Sequence, residues 1–119
     1  MASVLIIEDD HQIRIAIRRA LELAGHRVVE ASDGEEGMDL YRQDPTDVVV
    51  TDIAMPRKDG FEVIRELVRD FPDVKIIAIA ADWATSLPLA REMGADRTFG
   101  KPFTMVDITE AVNDLYNQA

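Results

Sequence analysis

Apolar and polar positions along this chain follow two alternating periods: short unbroken apolar runs, then longer stretches in which apolar residues return every three or four positions. The first run, Val4-Leu5-Ile6-Ile7, has the continuous, β-branched character of a strand buried on both faces. It stops at Glu8-Asp9-Asp10. Ile13, Ile17, Leu21 and Ala24, with Ala16 and Ala20 beside them, then predict a helix that Gly25 ends. Residues 27–31, centred on Val28 and Val29, predict a second, weaker strand. Ser32-Asp33-Gly34 opens a second helix whose apolar positions are Met38, Leu40 and Tyr41. Asp33 with Glu36 has the form of a capping box, and Asp44-Pro45 closes the helix.

Residues 47–51 predict a third strand. Gly60 opens a third helix with Phe61, Ile64, Leu67 and Val68 on one face, Phe71 in its last turn and Pro72 beyond. A fourth strand is expected over 74–80, a short helix over 87–93 ending at Gly94, and a poor fifth strand over 96–100. Thr104 caps a last helix, with Asp107 at the capping-box position and Ile108, Ala111, Val112 and Leu115 facing inward. Five strand–helix units with continuous apolar strands predict an α/β fold, a doubly wound five-stranded parallel sheet with five helices on its two faces. No linker, repeat or low-complexity tract interrupts residues 1–119, so a single domain is expected.

Right-handed crossovers put every strand-to-helix loop on the same edge of such a sheet. The loops after strands one, three, four and five carry Glu8-Asp9-Asp10, Asp52, Ala80-Ala81-Asp82 and Lys101-Pro102. Taken singly, each has a plain reading. The acidic run caps a helix, a role expected of Asp10; Asp52 is a loop carboxylate held by amides; Lys101 is a solvated lysine; Asp59-Gly60 is a turn and helix start. Placed together, three carboxylates repel one another and raise each other's pKa, and a divalent cation relieves that repulsion. All-oxygen ligation suits Mg2+ or Mn2+ better than zinc. A carboxylate in that setting is a nucleophile toward phosphorus, with Lys101 as the ammonium that steadies the phosphoryl oxygens. Pro102 fixes the chain after Lys101, and a cis bond there would help aim the lysine.

Composition narrows the classes. With 13 basic against 23 acidic residues, the formal charge is −10, which disfavours direct binding to nucleic acid or an anionic membrane. The absence of cysteine excludes disulfides and thiol chemistry. His11 and His26 lie at opposite ends of the first helix, which argues against a multi-histidine metal site. No signal-peptide pattern and no membrane-length apolar stretch is present, so a cytoplasmic protein is expected.

In four segments the chain resembles the receiver domain of two-component response regulators: 4–10, ending Glu8-Asp9-Asp10; 47–56, from Asp47 through Asp52 to Met55-Pro56; Asp59-Gly60; and Gly100-Lys101-Pro102-Phe103. The resemblance implies a flavodoxin-like fold with strand order 2-1-3-4-5. It implies Asp52 as phosphoacceptor, Lys101 on the phosphoryl group, and Mg2+ held by Asp9, by Asp52, by the backbone carbonyl of Ala54 and, through water, by Glu8. The implied donor is a phosphohistidine on a sensor histidine kinase or a histidine phosphotransfer protein, and the implied assembly is a monomer or weak dimer.

Two positions depart from the family pattern. The fourth strand of the family ends in Thr or Ser, here Ala80; the fifth carries Tyr or Phe three residues before the lysine, here Thr98. These form the family's switch. A missing hydrogen bond to a charged phosphoryl group is worth roughly 1.5–3 kcal/mol, enough to move a two-state equilibrium about tenfold to a hundredfold toward the inactive state. The alternative expectation is therefore a receiver-like interaction domain with weakened or absent switching. A phosphatase using an aspartyl phosphate needs a second acid two residues after the nucleophile, where this chain has Ala54. A dinucleotide-binding domain needs a glycine-rich loop after the first strand, where this chain has acids. Trp83, just after the fourth strand, is expected either to pack over the fourth helix or to cover the rim of the site.

Overall fold

In a computed structural model describing residues 1–118, the chain alternates strand and helix throughout. The strands are β1 (Ser3–Ile7), β2 (Arg27–Ala31), β3 (Val48–Asp52), β4 (Lys75–Ala80) and β5 (Arg97–Gly100). The helices are α1 (His11–Leu23), α2 (Gly34–Gln43), α3 (Gly60–Asp70), α4 (Trp83–Met93) and α5 (Met105–Asn117). All strand pairs are parallel, in the order β2-β1-β3-β4-β5. This is the doubly wound sheet expected, with β1, β3, β4 and β5 side by side.

The period of two within each strand divides the core. Val4 and Ile6 of β1, Val48 and Val50 of β3, and Ile77 and Ile79 of β4 pack with Ile17 and Leu21 of α1 and with Ile108, Val112 and Leu115 of α5. Leu5, Ile7, Val49, Ile76 and Ala78 point the other way, toward Met38 of α2, Val63, Ile64 and Leu67 of α3, and Leu87 and Ala90 of α4. Continuous apolar runs were needed because both faces of the central strands are covered.

Helix ends follow local chemistry. Asp10 accepts hydrogen bonds from the Gln12 and Ile13 amides, and Asp59 accepts one from the Glu62 amide. Thr104 and Asp107 form a complete capping box. At α2 the box is displaced: Asp33 accepts from the Glu36 amide, but Glu36 accepts from the Ser32 amide and hydroxyl rather than from Asp33.

Three expectations shift. β3 ends on Asp52, so that residue belongs to the sheet rather than to the loop. The inward face of α3 is Gly60, Val63, Ile64 and Leu67, while Phe61 is half-buried and Val68 is exposed against Gly94. α4 starts at Trp83 rather than at residue 87 and carries Pro88 inside it, where the ring removes one main-chain donor.

Candidate functional site

At the carboxyl edge of the sheet, β3 delivers Asp52 and the end of β1 delivers Glu8 and Asp9. One carboxylate oxygen from each lies within 4.8 Å of the others. Glu8 is fully buried and Asp52 nearly so, while Asp9 is exposed. The loop after β5 supplies Lys101, whose Nζ stands 2.9 Å from Glu8 Oε1 and 3.1 Å from Asp52 Oδ2. The contact to Asp52 has hydrogen-bond geometry; the one to Glu8 does not, and buried Glu8 Oε1 has no hydrogen-bond partner. Asp52 Oδ1 accepts from its neighbour's amide, Ile53 N, at 2.9 Å. The bond between Lys101 and Pro102 is cis, as the sequence allowed.

Close backbone approach sets the loop after Asp52. The Gly60 amide donates to the Ile53 carbonyl at 2.8 Å. A Cβ on Gly60 would stand 2.3 Å from the Asp52 carbonyl oxygen, so only glycine lets α3 begin there. Ala54 lies exposed in that loop, two residues past Asp52.

Charge at the site is under tension. Burial raises the Glu8 pKa above the usual carboxylate value, and its contact with Asp52 adds to this, against the opposing pull of Lys101. Burial, followed by the nearness of Glu8, raises that of Asp9. Burial alone would lower the Lys101 pKa, but Glu8 and Asp52 together outweigh it and leave the ammonium more firmly protonated than usual. A cluster of three hard carboxylate donors, outnumbering its single ammonium, fits a divalent cation of the Mg2+ class.

The sequence brings together Glu8, Asp9, Asp52 and Lys101 as expected. His26 serves the fold instead: it accepts from the Ala2 amide and pairs with Asn113. Ala80 is buried at the end of β4, and its carbonyl accepts from the Lys101 amide at 2.9 Å. Thr98, half-buried on β5, lines a groove of about 530 Å3 with Trp83, Leu87, Pro88 and Arg91. The indole of Trp83 lies on Gly100 at the rim of the site; a Cβ on Gly100 would be 2.7 Å from its Cγ.

One participant escaped the sequence reading. Arg14 donates to the main-chain carbonyl of Glu8 at 2.7 Å and pairs with Glu30 of β2 at 2.8 Å. The only signal for it was a charged residue, Glu30, set between apolar Val29 and Ala31 in the second strand.

Comparison with known proteins agrees with this geometry. The family model described as response regulator receiver domain matches residues 4–113. Response regulator MprA of Mycolicibacterium vanbaalenii is 38% identical over 106 residues, covering 88% of this chain and 46% of that protein. The chain thus spans less than half the length of that relative. Among solved structures, the receiver domain of a Francisella response regulator superposes with a TM-score of 0.93 at 28% identity, covering 99% of this chain and 98% of that one. The response regulator TrrA of Thermotoga maritima, solved in complex with Mg2+-BeF, superposes with a TM-score of 0.88 at 30% identity, covering 97% of this chain and 99% of that one. Among the described residues, no helix is long and apolar enough to cross a membrane.

Proposed function

The chain belongs to the response regulator receiver domain family, and from that premise we propose that it is the phosphoacceptor module of a two-component phosphorelay, with Asp52 as the acceptor. The observation that carries this reading is Lys101 held 3.1 Å from Asp52 inside a three-carboxylate cluster. An Asp52 carboxylate oxygen attacks the phosphorus of a phosphohistidine. The phosphorus–nitrogen bond breaks, its electron pair returns to the imidazole, and an acyl phosphate remains on Asp52. The Ile53 amide, donating to Oδ1, restrains the carboxylate. Lys101 lies where an ammonium offsets charge on the transferred oxygens.

Asp9, Asp52 and the carbonyl of Ala54 would hold Mg2+ or Mn2+, with Glu8 acting through water. Bound there, the cation supplies charge neutralisation for the phosphoryl oxygens. The clustering of the three carboxylates and the raised pKa values of Glu8 and Asp9 support this assignment, as does the Mg2+-BeF complex of the Thermotoga relative.

The donor is a sensor histidine kinase or a histidine phosphotransfer protein, met in the cytoplasm by a monomer or weak dimer. An apolar groove of about 470 Å3 beside Lys101, lined by Ile13, Ala16, Pro102, Phe103 and Met105, supports approach from the α1 side. With Ala54 where a phosphatase needs its second acid, turnover is limited to slow self-dephosphorylation.

Ala80 favours a second reading, a receiver-like interaction domain with weak switching, because the end of β4 offers no hydroxyl to the phosphoryl group. One experiment separates the two at the chemical step. With a small-molecule phosphodonor and Mg2+, intact mass should show one phosphoryl group, lost in Asp52→Asn and lost on chelation. No incorporation, under conditions that label another receiver, overturns the first reading. If incorporation occurs, amide shifts with a phosphoryl mimic decide the switch: large changes across β4 to α5 reject the second reading.

A further inference from the structure

Arg14 sits one turn into α1 with only 13% of its side chain exposed, an unusual placement for a guanidinium unless its donors are used. They are used in three directions. One nitrogen donates to the Glu8 carbonyl at 2.7 Å, another to Glu30 Oε1 at 2.8 Å, and the third lies 3.0 Å from His11 Nδ1. Glu30 is in turn held by Arg18. These contacts, led by Arg18 and followed by Arg14, keep the Glu30 carboxyl below its usual pKa.

The consequence falls on the Glu8–Asp9 peptide. The Glu8 amide donates to the Ala31 carbonyl of β2 at 3.1 Å, and the Glu8 carbonyl receives Arg14. On the other side, the Asp10 amide donates to the Glu8 carboxylate, and the Asp10 side chain caps α1. Asp9 is the one residue between these two anchored neighbours, so its carboxylate position is set by backbone that Arg14 holds. We propose that Arg14, oriented by Glu30, is a positioning residue for the cation site, fixing the peptide from which Asp9 projects. A planar fork with five N–H groups serves a carbonyl, a carboxylate and an imidazole together; an ammonium on a flexible stem does not. The inference rests on the reading of Glu8, Asp9 and Asp52 as a cation site.

Supporting groups of this kind change metal affinity by about 10-fold to 100-fold when removed. Mg2+ titrations of the whole chain, followed by backbone amide shifts at Asp9 and Asp52, should give Arg14→Ala a dissociation constant raised about tenfold, with Arg14→Lys in between. Phosphorylation of Arg14→Ala by a small-molecule donor should be slowed at low Mg2+ and recover at saturating Mg2+. Thermal midpoints in EDTA report stability separately. A lowered midpoint with an unchanged Mg2+ constant is the purely structural result, and it overturns the proposal. Glu30→Gln, which leaves Arg14 in place but loosens its hold, should weaken Mg2+ severalfold; it stands in should Arg14→Ala not fold, and an unchanged constant there is equally adverse. If the wild-type chain binds no Mg2+, the cation-site reading fails first and this inference with it; if wild type binds and the variants bind equally, only this inference fails.

Discussion

Replacing Asp9 by Asn should make the metal-free protein more stable while removing its response to Mg2+. Asp9 faces Glu8 and Asp52 within 4.8 Å and has no direct contact with Lys101 at ion-pair distance. Two unit charges at that separation repel by roughly 3.5 kcal/mol at an effective dielectric of 20 and by roughly 0.9 kcal/mol in water. Asp9 is exposed, so solvent screening places the working value near the lower figure, about 1 kcal/mol. For a chain of this size that is a rise in midpoint of about 4 °C. The pH dependence has a definite sign. The folded protein holds the Asp9 pKa above its usual 3.8, through burial and then Glu8. Between the unfolded and folded values the folded state therefore binds more protons, and stability falls as pH rises through that window. The advantage of Asp9→Asn is thus full above the folded value and disappears as pH falls toward 3.8. In Mg2+ at ten times its dissociation constant, wild type gains about 1.4 kcal/mol, which the variant should not share, so the order of stabilities reverses. Circular dichroism melts in EDTA and in Mg2+, at neutral and acid pH, measure all of this. A variant less stable than wild type in EDTA at neutral pH, or a gap that persists in acid, would refute the account of charge at this site.

Other outcomes follow from contacts already described. Lys101→Ala leaves two buried carboxylates facing each other and should cost about 3 kcal/mol in EDTA at neutral pH by urea denaturation; the cost should shrink in acid, where Glu8 takes up a proton because burial has raised its pKa. Gly60→Ala drives a Cβ into the Asp52 carbonyl and should destabilise by about 2–3 kcal/mol, visible as a lowered urea midpoint. Pro88→Ala restores a main-chain donor inside α4 and should raise stability by about 1–3 kcal/mol; no gain would mean that the Ala84 carbonyl is satisfied elsewhere. Gly100→Ala displaces the indole of Trp83, so the emission of the only tryptophan should change; identical spectra would contradict its placement on Gly100.

Much of the fold was legible because the chain's two periods agree with its final layers. Val4-Leu5-Ile6-Ile7 is unbroken because alternate residues serve opposite cores. The site was legible for a topological reason: parallel strands bring every strand end to one edge, so Glu8, Asp9, Asp52 and Lys101 meet without any local sequence signal. What escaped notice depended on rotation or distance. The expected face of α3 included Val68, but the helix is rotated so that Val63 is buried and Val68 lies exposed beside Gly94. The start of α4 was hidden because Trp83 is exposed and Pro88 disguises the helical period. Arg14 carried no sequence signal of its own; its partner Glu30 lies 16 residues away, past the rest of α1 and the turn into β2.

The meeting of three carboxylates with one ammonium has a further consequence for the charge of this cleft. The four groups sum to two uncompensated negative charges, which one divalent cation cancels. On the proposed reading, converting Asp52 to an acyl phosphate would exchange one negative charge for close to two. The cleft with its cation would therefore pass from neutral to about one net negative charge. That charge would also lie farther out than the β3 carboxylate, and Lys101, anchored through its amide to the Ala80 carbonyl, is the cation placed to follow it. On the proposed reading, phosphorylation would be felt both as an added charge and as a displacement of Lys101 and the backbone behind it.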